Sequence, residues 1–157
     1  MRTWTEGARP LTSGSPCAVV LIGVLSLAPV VGPLADPLVE QAYGSYYQDL
    51  AGFGRSDLER ELEATIDDAL LSGSHLGRPS TAQKRQEIAQ ATLSDARGRL
   101  CGPGPAGTEV REACILGTRR AAEAATVRFN PESIGMVAAV CARLLELEAP
   151  AGRCGAP

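Results

Sequence analysis

The sequence predicts an all-α fold: a small bundle of about five helices that ends in a disulfide-stapled helical hairpin. Three observations predict it. Apolar residues recur at three- and four-residue steps in five separate segments, and helix-start residues stand before each of them. Four cysteines in the C-terminal third are symmetrically spaced, and outside the N-terminal segment few alternating β-branched runs exist, so no sheet is expected.

The N-terminal segment, 1–35, reads as an export signal. Arg2 and Arg9 precede an uncharged stretch from Pro10 to Ala35, whose apolar core, Cys17 to Val31, has the length of a signal-peptide core and is short for a membrane span. Ala35 suits the position before a cleavage site, although Pro33 is bulkier than the small residue preferred two positions earlier. Pro29 and Pro33 argue against a buried helix here. An uncleaved membrane anchor is the alternative. The remaining segment, 36–157, is enough for a single domain with one modest core.

The helices follow in order. Asp36-Pro37 opens a first helix running to about Gly52, with Leu38, Ala42, Tyr46 and Leu50 on one side and Tyr43 and Tyr47 beside them. Ser56-Asp-Leu-Glu59 has the form of a capping box, followed by the stripe Leu58, Leu62, Ile66, Ala69 and Leu70 and a stop at Gly73. Ser80-Thr-Ala-Gln83 is a second such box, opening a helix to about Leu100 with Ile88, Ala89, Leu93, Ala96 and Leu100 inward. After the breaker between Cys101 and Gly107, Thr108 is the expected cap of a fourth helix, with Val110, Cys114, Gly117, Ala121 and Ala124 as its stripe. Asn130-Pro131-Glu132 opens the fifth, with Ile134, Val137, Ala138, Cys141, Leu144 and Leu145 facing inward.

Cys101 and Cys114 are as far apart as Cys141 and Cys154, so both outer and inner pairs centre near Val127 and Arg128. If the last two helices are antiparallel, that symmetry favours nested bridges, Cys114 to Cys141 and Cys101 to Cys154, although four cysteines allow three connectivities. Paired cysteines in a small exported chain point to an oxidising compartment, secreted or periplasmic, or facing such a compartment from a membrane anchor. The equal spacing resembles the staple of twin-cysteine coiled-coil-helix-coiled-coil-helix proteins. In that family the spacings are shorter, and here Gly and Pro interrupt both intervals, so the likeness extends to staple geometry and carries no function.

Charge is segregated along the chain. Residues 36–68 carry nine acids against Arg55 and Arg60, whereas 78–128 carry nine bases against five acids. The basic excess is too weak for a nucleic-acid footprint, and no nucleic-acid partner is expected. Gly102 to Gly107 has prolines where a phosphate loop needs backbone donors, and no Lys-Ser or Lys-Thr follows. Gly73-Ser-His-Leu-Gly77 has a histidine where a nucleophile elbow has its serine, and there is no Cys-x-x-Cys. No catalytic residue, metal site or cofactor is therefore assigned.

What remains is a candidate patch for a ligand or partner, formed by Tyr43, Tyr46, Tyr47, Phe53 and the single histidine, His75. Tyrosines are over-represented where proteins bind one another, yet they also pack on bundles with their hydroxyls in water. His75, in a Ser/Gly loop, reads first as a solvent-exposed residue, with a haem-ligand or general-base role as the sharper alternative. The sequence thus leads to an exported, non-enzymatic helical protein that binds a protein partner or envelope component. The alternative is a carrier of an apolar small ligand, lipid or haem, in a helical cavity. Contact with a membrane is expected only through the N-terminal segment, if it is uncleaved.

Overall fold

The computed structural model describes residues 36–73, 81–102 and 109–148, all within one compact unit spanning 31–157. The expectations for 1–35, His75, Ser80, Thr108 and Cys154 lie outside the described residues. Among the described residues the fold is all-α: α1 (Pro37–Asp49), α2 (Arg55–Gly73), α3 (Ala82–Cys101), α4 (Val110–Ala124) and α5 (Pro131–Glu148). None of these helices is long and apolar enough to cross a membrane.

Start signals act through side-chain oxygens that accept otherwise unpaired backbone N–H groups. Asp36 Oδ1 accepts from Leu38 N at 3.0 Å and Asn130 Oδ1 from Ser133 N at 2.7 Å, as the sequence suggests. The two expected capping boxes are displaced. Helix α2 begins at Arg55, with Leu58 N already donating to the Gly54 carbonyl, so Ser56 sits inside the first turn and Glu59 pairs with Arg55 at 3.1 Å. In α3 the cap is Thr81, accepting from Lys84 N at 3.2 Å. In α4 the cap position falls on Glu109, which makes no side-chain cap bond.

Helix α5 is the axis of the bundle. It packs against each of the other four, most lightly against α3; α3 lies on α4 and touches α2, and α5 is the one helix whose backbone α1 approaches closely. Accordingly α5 buries Val137 to Ala142 without a break, together with Gly135, Leu144 and Leu145. One core cluster gathers Leu58, Leu62, Ile66, Ile88, Val137, Val140 and Leu144, from α2, α3 and α5. The other is made of smaller residues, Val39, Ala96, Ala113, Cys114, Ala138, Cys141 and Ala142 among them.

The inward stripe of α1 differs from the expected one. Val39 and Leu50 are buried and Tyr43, Tyr46 and Tyr47 half-buried, while Leu38 is 60% exposed. A chain of four-residue steps, 38, 42, 46, 50, drifts around a helix by about 40° per step. Alternating three- and four-residue steps stay on the narrow strip facing a single neighbour. Ala124 is likewise exposed, since α4 ends there.

The turn after α4 closes in a Schellman arrangement, with Thr126 N donating to the Glu123 carbonyl and Val127 N to the Ala122 carbonyl, both at 3.0 Å. Thr126 takes the left-handed position, φ 56°, that glycine usually fills. Lys84, the only lysine of the chain, donates from Nζ to the Ala125 carbonyl at 3.0 Å and so ties α3 to this turn.

Candidate functional site

Two constructions around α5 gather the residues that the sequence singles out. The first is the bridge between α4 and α5. Cys114 and Cys141 are bonded, with Cα atoms 5.8 Å apart, and both residues are fully buried. The helices can come this close because the residues around the bridge are small: Ala113, Gly117 and Ala121 on α4, Ala138 and Ala142 on α5. Gly117 serves α3 in the same way, for a Cβ there would stand 2.7 Å from the Thr92 carbonyl oxygen. The inner bridge of the expected pair is thus present. Cys101 is also disulfide-bonded, while Cys154, its expected partner, lies outside the described residues. A buried disulfide indicates an oxidising environment.

The second construction is the tyrosine cluster. Tyr43 and Tyr47, one turn apart on α1, stack with ring centroids 5.5 Å apart and planes inclined by 17°. The Arg143 guanidinium lies over the Tyr47 ring at 3.6 Å. Through Nε and Nη2 it also donates to the Tyr47 carbonyl at 3.1 and 2.8 Å. A cation thereby meets the free carbonyls and the negative dipole end of α1. The Tyr47 hydroxyl donates to both carboxylate oxygens of Glu146 at 2.8 Å, and the Tyr46 hydroxyl donates to Glu61 on α2. Three helices therefore meet on tyrosine side chains.

This geometry determines the chemistry of the tyrosines. Burial is the main reason that all three phenols hold their protons above the ordinary value of 10. The neighbouring Tyr47 adds to the shift at Tyr43, the bond to Glu61 at Tyr46, and the bond to Glu146 at Tyr47. Phenols raised in this way serve as hydrogen-bond donors and are poor bases or nucleophiles near neutral pH. Among the described residues, no group of three or more His, Cys, Asp or Glu side chains is placed to hold a metal ion.

Phe53 is separate from the stacked pair. It lies in the α1–α2 turn, exposed, beside a shallow depression of about 420 Å³ that Asp57, Arg60 and Glu61 also line. A larger groove of about 480 Å³ opens between α1 and the start of α5, lined by Leu38, Ala42 and Ser45 on one side and Asn130 and Pro131 on the other. Leu38 and Ala42, which the sequence places on one side of the first helix, line that groove together.

Arg143, Glu146 and Glu148 are not singled out by the sequence patterns. Glu148, near the end of α5, pairs with Arg97 of α3 at 2.7 Å and Arg55 of α2 at 3.4 Å. A signal for Arg143 was available: it is the sole basic residue of α5 and interrupts the apolar run from Val137 to Leu145. A charge in such a position is held by a specific partner. Neither a family model, nor a curated protein, nor a solved structure matches this chain.

Proposed function

We propose that this chain is an exported, non-enzymatic helical protein that binds a protein partner or an envelope component through a rigid scaffold closed by disulfides. The observation that carries the exported part is the buried Cys114–Cys141 bridge, together with the bonded state of Cys101. The binding part is supported by the groove beside Leu38, the most exposed large apolar side chain among the described residues. The tyrosines are engaged in packing and hydrogen bonds, which assigns them to the scaffold and leaves the α1–α5 groove as the better contact surface.

The test is made on the natively exported protein. Its intact mass should correspond to a chain beginning at Asp36, and reduction should add the hydrogens of two bridges. A photo-crosslinking residue at Gln41, beside the groove, should give a discrete protein adduct that Leu38→Glu removes. A co-purified lipid or haem without such an adduct would favour the carrier instead, and a full-length chain with free thiols would overturn export.

A further inference from the structure

Helix α1 is attached differently from the other four. Within Pro37–Asp49 it buries one residue, Val39, with Leu50 buried just beyond its end, against five in α2, four in α3, seven in α4 and nine in α5. Its close backbone neighbour is α5 alone, with α2 and α4 reached through side chains, and no disulfide among the described residues bonds to it. Gly44, Ser45 and three tyrosines give it weak intrinsic helicity, and at this length an isolated helix is marginal in water.

Besides the apolar packing of Val39 and Leu50, α1 is held by polar contacts. Arg143 holds the Tyr47 carbonyl, Glu146 accepts from Tyr47, Glu61 accepts from Tyr46, and Arg111 of α4 reaches Glu40 at 2.8 Å. Water can replace each of these partners when the helix lifts, so each contributes little net free energy. The connection to α2 is a hinge in composition and conformation. Ala51, Gly52, Phe53 and Gly54 are all exposed, and Gly52 has φ +85°.

We infer that α1 is a strap that opens as a unit about Ala51–Gly54 under native conditions, while α2 to α5 stay folded with α4 and α5 bridged. Opening uncovers the α5 face that carries Gly135, Arg143 and Glu146. At Gly135 the approach of α1 is so close that a Cβ would stand 2.5 Å from the Val39 carbonyl oxygen. The open form therefore presents a small-residue face that the closed form hides. This inference concerns the protein by itself and stands whether or not a partner is found.

The experiment is hydrogen exchange of the full chain, resolved by mass spectrometry into peptides from each helix. Amides of α1 should exchange at least about tenfold faster than the slowest amides of α4 and α5. Arg143→Met, which keeps the apolar stem and removes the donors, should speed α1 about another tenfold and leave α3 and α4 unchanged. If that variant does not fold, Tyr47→Phe removes only the Glu146 bonds and should speed α1 a few-fold. Exchange of α1 in step with α4 and α5, or a variant that speeds all five helices equally, would overturn the inference.

Discussion

Helices α4 and α1 both pack on α5, but by different means. Between α4 and α5 the contact is dry and covalent: Ala113, Cys114, Thr118 and Ala121 are buried, and the bridge holds the two helices at one point. Between α1 and α5 buried Val39 packs beside Gly135, and the rest of the contact is aromatic and polar, a tyrosine stack held by Arg143 and Glu146. A glycine stands at the α1–α5 crossing, Gly135, and another where α3 crosses α4, Gly117. In both places backbone proximity is set by a missing side chain. The difference lies in what resists separation: a covalent bond on one flank, and non-covalent packing and polar contacts alone on the other.

Removing the bridge should have the largest effect. It closes a segment of 27 residues, so chain entropy predicts a loss of about 3–4 kcal/mol for Cys114→Ala with Cys141→Ala. The check is a denaturant midpoint measured against the oxidised parent. If the loss is confined to α4 and α5 while the tyrosine signal persists, the two flanks are energetically separate.

Filling the glycines comes next. Gly135→Ala should cost about 1–3 kcal/mol by pushing α1 off α5, since the added carbon also meets Ala42 Cβ at 2.8 Å. The tyrosine near-ultraviolet circular dichroism should weaken in that variant. Gly117→Ala should cost a similar amount, with the tyrosine signal intact, because its neighbours are Thr92 and Ala96 of α3. Equal loss of the tyrosine signal in both variants would erase the distinction between the flanks.

Alkali should loosen the α1 flank selectively. The phenols of Tyr43, Tyr46 and Tyr47 are raised above 10 in the folded protein, so once the pH passes 10 the unfolded chain binds fewer protons than the folded one. Their contribution is fully present below pH 10 and is lost as the pH climbs beyond it. Absorbance of tyrosinate should therefore appear late and together with loss of α1 structure, whereas a normal tyrosine titration with the helix intact would contradict the burial.

The smallest effect is a gain. Thr126→Gly should stabilise by about 0.5–1 kcal/mol, because a β-branched residue at φ 56° carries strain that glycine lacks, offset in part by the greater freedom of glycine when unfolded. Thermal melting measures it, and a loss would mean that the Thr126 side chain supports the turn.

The sequence was most legible where structure is local. Caps at Asp36 and Asn130, the stripes of α2 and α5, and the Cys114–Cys141 pairing all follow from spacing along one or two helices. Errors arose where one residue decides the register. Ser56 and Glu59 stand at capping-box spacing, but the Gly54 carbonyl already accepts the first bond of α2. Leu38, on one side of α1 with Ala42, Tyr46 and Leu50 by spacing, is exposed, because a helix lying mainly on one neighbour buries only a narrow stripe. Partnerships across the chain were not legible. Tyr47 and Glu146 are 99 positions apart, and nothing near either one names the other.

The burial of both bridged cysteines also sets an order of events. No oxidant or thiol reagent can touch sulfur atoms enclosed between α4 and α5, so the bond has to form before that seam closes, and it can be cut only when the seam reopens. The rate at which a dilute reductant cleaves Cys114–Cys141 is then a clock for the opening of the bundle axis. A protein built this way keeps its bridge through exposure to reductants that are brief compared with its own unfolding.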